Sequence, residues 1–94
     1  MEKLIRDKIP ELIRSNGEEP NTYIANDAQY WLALRAKLQE EVGEFLQSEH
    51  PDEIADIKEV LDAICKYKQF LDVDERQQHK HDERGGFDER IILR

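Results

Sequence analysis

Two helix-period apolar stripes on either side of a short, proline-marked connection constrain this chain more than any other feature. Trp31, Leu34, Leu38, Val42 and Phe45 follow one another in steps of three and four, the spacing that keeps side chains on one face of an α-helix. Asn26 or Asp27 can cap that helix, which should run to about Ser48. Pro51 suits the first position of the next helix, whose stripe of Ile54, Ile57, Leu61 and Ile64 continues toward Phe70 and Leu71. So short a connection makes the two helices neighbours, each with enough apolar surface to need further helices from this chain or a partner. The expected fold is all-α: an antiparallel helical hairpin with additional short helices, completed by oligomerisation.

The rest of the chain fits around that pair. Residues Lys3 to Arg6 can be extended, and Asp7 can then cap a short helix with Pro10 in its first turn, stopping at Asn16 and Gly17. Glu18 to Ala25 has a proline and no helical period, which reads as a surface connection. Asp74 to Arg84 has no apolar residue, so it is either an exposed helix or disordered. Gly85 and Gly86 break what precedes them, and Phe87 to Arg94 returns to apolar character as a strand or docking tail. At 94 residues the whole is expected to be one domain, residues 1–94.

Two acidic pairs lie beside the stripes: Glu41 with Glu44, and Glu53 with Asp56. A separation of three puts both members of a pair on one side of a helix. A helix turns about 100° per residue, which places Glu41 roughly 60° from the centre of its stripe, with Glu44 farther round. By the same measure Glu53 falls within the apolar arc and Asp56 at its edge, whereas Glu40, Glu59 and Asp62 point away. Four carboxylates on neighbouring helices form an oxygen-rich site suited to Mg2+ or Mn2+. The competing reading is a set of solvated acids, common on exposed helix faces.

The net charge of -8 repels nucleic acid backbones and anionic membranes, so neither is an expected partner. A phosphate compound can still bind where cations reverse the local field. No stretch has the roughly 20 apolar residues of a membrane span, the start is too acidic for a signal peptide, and the single Cys65 fits a reducing compartment. The expectation is a soluble cytoplasmic protein.

The run Glu40-Glu41-Val42-Gly43-Glu44, followed by Glu53-Ile54-Ala55-Asp56, resembles the paired acidic motif of the all-α, MazG-like nucleoside triphosphate pyrophosphohydrolases. Leu4-Ile5-Arg6-Asp7-Lys8-Ile9-Pro10 and Glu83-Arg84-Gly85-Gly86-Phe87 resemble the ends of a small phosphoribosyl-ATP pyrophosphohydrolase-like subgroup. The resemblance implies a helical homodimer or homotetramer that cleaves a nucleotide between its α and β phosphates with Mg2+, releasing pyrophosphate. Glu41, Glu44, Glu53 and Asp56 match the family's metal positions, and Glu40 matches the first, less direct acid of the motif. The interval from Glu44 to Glu53 is shorter than the family commonly shows. Counting alone favours Glu59 and Asp62 as the second pair, whereas helix angles favour Glu53 and Asp56.

Glu41 or Glu44 is the expected acceptor of the attacking water's proton. Lys37, one turn before Glu41, and Arg6, Lys8, Arg84 and Arg90 of the terminal motifs are the candidate phosphate-binding cations. Three readings follow: a house-cleaning nucleotide pyrophosphohydrolase, a phosphoribosyl-ATP pyrophosphohydrolase of histidine synthesis, or a catalytically silent helical module that binds metal or nucleotide or only oligomerises.

Overall fold

The computed structural model describes residues 2–94. Among them are four helices and no strand: α1 (Ile9–Ser15), α2 (Asp27–Ser48), α3 (Pro51–Lys68) and α4 (Val73–Arg84). The chain divides into two compact units, one ending at Ile64 and the other covering Cys65–Arg94. No helix is long and apolar enough to cross a membrane.

Local chemistry sets the helix ends. Asn26 caps α2: its side chain accepts from the Gln29 N–H at 2.9 Å, while the Gln29 side chain accepts from the Asn26 N–H at 3.0 Å. That reciprocal box satisfies two backbone donors that a helix start leaves without partners, and the cap alone is typically worth about 1 kcal/mol. At the other end Glu49 takes a left-handed conformation, φ 54°, and its N–H donates to the Phe45 carbonyl at 2.7 Å. Pro51 then opens α3, as its fixed φ and missing N–H favour.

Asp7 does not cap α1. The Ile9 N–H is spent on the Arg6 carbonyl in a turn, and the Leu12 N–H donates to Lys8 O. The boundary residue is therefore Lys8, with no side-chain cap. Gly17, at φ 84°, closes α1 by donating to Arg14 O, while Glu18 donates to Ile13 O, the paired pattern of a left-handed helix stop. The same pattern ends α3 before Phe70 and Leu71: Gln69, at φ 58°, donates to Lys66 O and Phe70 to Cys65 O.

The buried faces differ from the expected stripes in an instructive way. On α2, Leu34 is fully buried and Trp31, Leu38 and Phe45 are half-buried, but Glu41 takes the remaining inner position at 5% exposure, while Val42 is 38% exposed. On α3 the buried centre is Val60, flanked by Ile57, Ala63 and Ile64, and Ile54 and Leu61 lie on the exposed side. The inner face is thus turned by roughly 80° from the stripe centre, at about 100° per residue. The apolar arc of α3 is wider than the area covered within its unit, so half of it stays exposed. The turn brings Glu53 and Asp56, both half-buried, onto the inner side.

In the second unit α4 is exposed along its whole length, as expected from a sequence without an apolar stripe. Phe87 to Arg94 forms no strand. The Arg90 N–H donates to Phe87 O in a turn, and Phe87, Ile91, Ile92 and Leu93 remain 82–95% exposed. A strand needs a partner to complete its hydrogen-bond ladder, and none is present among the described residues.

Candidate metal centre

Glu41 from the inner face of α2 meets Glu53 and Asp56 from the first turns of α3. One carboxylate oxygen of each lies within 4.8 Å of the others. Oε1 of Glu41 pairs with Lys37 Nζ at 3.2 Å. Its other oxygen, Oε2, is buried with no hydrogen-bond partner among the described residues. A buried polar atom left in that state costs about 1–3 kcal/mol, and more when charged, so the arrangement needs a compensating gain.

Glu44 is exposed and belongs to a second group, with Glu40 and Glu41, whose carboxylate oxygens also lie within 4.8 Å of one another. The four acids expected to share one cage thus form two overlapping sets joined at Glu41. Glu59 and Asp62 are exposed, and neither is in these groups.

Glu40, expected to point away, is half-buried and doubly paired: Lys3 Nζ lies at 3.3 Å and Lys37 Nζ at 3.5 Å. Partial burial pushes its carboxyl upward, but the Lys3 hydrogen bond and the charges of Lys37 and Lys3 together hold it below the usual carboxylate range. Lys3 arrives from 37 residues away, and nothing in the local spacing of the chain announces it.

Arg6 reaches α3. Its Nη2 donates to Asp56 Oδ1 at 2.7 Å and its Nη1 to Glu59 Oε1 at 3.3 Å. The hydrogen bond to Asp56 raises its pKa still further, and with the charges of both acids it outweighs an opposing desolvation. Two of the expected phosphate-binding cations, Arg6 and Lys37, are therefore engaged with the acids themselves. Lys8 is exposed at the start of α1. Arg84 and Arg90 belong to the second unit, where both border one shallow concavity with Gly85 and Gly86. Gly85, at φ 80°, ends α4 in a conformation that other residues rarely adopt. Tyr30 and Tyr67 are half-buried, and His79 and His81 are exposed.

No family model matches the chain, and no solved structure matches it. The chain is 48% identical over 52 residues to an uncharacterized protein of Mycolicibacterium smegmatis (strain ATCC 700084 / mc(2)155), an alignment that covers 55% of this chain and 53% of that protein. It thus spans about half the length of the curated relative it matches, and the likeness assigns no activity.

Proposed function

We propose that this protein is a nucleotide pyrophosphohydrolase of the MazG-like kind, dependent on Mg2+ or Mn2+, that acts in the cytoplasm to remove unwanted nucleotides. The observation that carries the reading is the buried, unpartnered Oε2 of Glu41 in a group with Glu53 and Asp56. Such a carboxylate is costly as packing but well suited to a cation. The donor set fits: an octahedral Mg2+ holds oxygens at about 2.0–2.1 Å, so opposite ligands stand roughly 4.2 Å apart, compatible with the spread of the group. The paired acidic motif and both terminal motifs support the substrate class.

In this reading Glu41, Glu53 and Asp56 hold the cation. When bound, it supplies Lewis-acid stabilisation of phosphate charge and lowers the pKa of water. Glu44, exposed beside Glu41, accepts a proton from the water that attacks the α-phosphorus. The new bond forms between the water oxygen and that phosphorus, while the bridging P–O bond breaks and its electron pair departs with pyrophosphate. Lys37 keeps Glu40 and Glu41 in place on α2, and Lys8, exposed at the start of α1 in the same unit, is the expected cation left to meet phosphate.

The test is pyrophosphate release from a panel of nucleoside triphosphates and phosphoribosyl-ATP, with Mg2+ and with EDTA. The expected outcome is cation-dependent release of pyrophosphate and a nucleoside monophosphate from several triphosphates. Turnover of phosphoribosyl-ATP alone would assign the dedicated pathway instead. Cation binding without turnover of any substrate would favour a silent module.

The same reading has α2 and α3 forming an antiparallel hairpin through Glu49 and His50, with a second copy covering its outer apolar residues. Leu32, Leu46, Ile54 and Leu61 are 62%, 69%, 41% and 44% exposed, and Leu34 and Val60 are the only buried apolar side chains among the described residues. So thin a core favours completion by assembly. Sedimentation equilibrium is expected to give a dimer or tetramer at micromolar concentration, and a monomer there would overturn the assembly.

A further inference from the structure

Arg6 lies in the irregular segment before α1, yet its guanidinium is bound to an aspartate of the candidate cation site. Asp56 gives Oδ1 to Arg6 Nη2 at 2.7 Å and is also one of the three carboxylates that converge with Glu41. One carboxylate therefore serves two calls for positive charge. The two bases at the site are held differently. Lys37 is 18% exposed and shared between Glu40 and Glu41 of its own helix, whereas Arg6 is 52% exposed and attached only through acids of α3 in the ion pairs it makes.

Exposed ion pairs are weak, and their members exchange readily for water. A divalent cation about 2.1 Å from Asp56 Oδ1 would lie within roughly 5 Å of Arg6 Nη2, which is 2.7 Å from the same oxygen, close enough for strong repulsion of like charges. A doubly charged ion would compete for that carboxylate more strongly than a single guanidinium, and Arg6 stands on a segment outside any helix. We propose that Arg6 is an exchangeable counter-ion: it holds Asp56 until a divalent cation takes that carboxylate, and the released guanidinium then meets the phosphate of the anion that the cation attracts. The inference rests on Glu41, Glu53 and Asp56 being the cation site. It predicts that Arg6 opposes the cation and favours the anion, so that cation and anion binding are coupled through this side chain.

The experiment measures Mn2+ affinity by electron paramagnetic resonance, and imidodiphosphate affinity by calorimetry at saturating Mn2+, on the full chain. Arg6→Gln is expected to bind Mn2+ about three- to tenfold more tightly, the order expected for removing one screened charge at this distance, and imidodiphosphate about tenfold more weakly. Arg6→Lys, which keeps the charge, is expected to stay within about twofold of the wild type for Mn2+. Arg6→Ala repeats the charge removal should the glutamine disturb folding, judged by helical circular dichroism. Unchanged or weaker Mn2+ binding in the neutral variants overturns the proposal, and tighter Mn2+ with unchanged imidodiphosphate overturns the handover. If the wild type shows no Mn2+ binding that Glu41→Gln removes, the cation site fails and this inference with it; a cation site that ignores Arg6 sinks this inference alone.

Discussion

Replacing Glu41 with methionine is expected to abolish pyrophosphate release and, in the same protein, to raise the melting temperature measured in EDTA. The two effects have one cause. Glu41 is 5% exposed and its Oε2 has no hydrogen-bond partner among the described residues, so the side chain weakens the fold wherever no cation repays its desolvation. Methionine has similar length and no oxygen to desolvate. Removing the unpartnered atom should return about 1–3 kcal/mol, reduced by loss of the Lys37 pair at 3.2 Å. Lys37 keeps Glu40 at 3.5 Å, so it is not left alone. At about 4–8 °C per kcal/mol for a domain of this size, a net gain of about 1 kcal/mol is readily measured by circular dichroism. Activity should fall by at least about 100-fold, since even outer-shell changes at metal sites cost 10–100-fold. The opposite stability result would be equally informative. If Glu41 serves only as the counter-ion of Lys37, the methionine variant melts at a lower temperature, and the functional reading loses its main support.

What could be read from the sequence follows how local each feature is. Asn26 as a cap, the end of α2 near Ser48, Pro51 at the start of α3 and Gly17 beyond α1 depend on a few adjacent residues, and each is legible by turn and cap chemistry. The end of α3 was less so: Phe70 and Leu71 prolong its apolar pattern, but the left-handed stop falls on Gln69, a residue type that gives no warning. The inner face of α3 shows a different limit. Ile54, Ile57, Leu61 and Ile64 define the most apolar direction, yet the buried centre is Val60, because hydropathy measures what a helix can bury and not which part its own unit covers. For the candidate site, Glu41, Glu53 and Asp56 were legible from helical spacing, whereas Glu44 falls in a separate set with Glu40, which was expected to point away. The ion pairs of Lys3 with Glu40 and of Arg6 with Asp56 were not legible, since they span 37 and 50 residues and depend on where the irregular segment before α1 comes to rest.

The second large effect concerns which acids respond to a cation. Saturating Mg2+ or Mn2+ is expected to raise the melting temperature of the wild type by roughly 10–20 °C, because a ligand at 100 times its dissociation constant adds about 2.7 kcal/mol at about 4–8 °C per kcal/mol. Glu53→Gln and Asp56→Asn should lose most of that rise, and Glu59→Gln and Asp62→Asn should keep it. The division follows from placement: Glu53 and Asp56 are half-buried and grouped with Glu41, whereas Glu59 and Asp62 are exposed and outside the groups. A sodium control of equal ionic strength is essential. Up to Ile64 the chain has 15 acidic against 7 basic residues, and from Cys65 onward 7 against 7, so the whole excess of negative charge lies in the unit with the candidate site, and any salt relieves its self-repulsion. Screening alone would stabilise all four variants alike and would be matched by sodium. A specific site instead gives a divalent-only rise that separates the inner pair from the outer one. If the rise disappears with Glu59 and Asp62 and survives without Glu53 and Asp56, α3 presents its other face to the cation, and the longer interval suggested by the family pattern is the correct one.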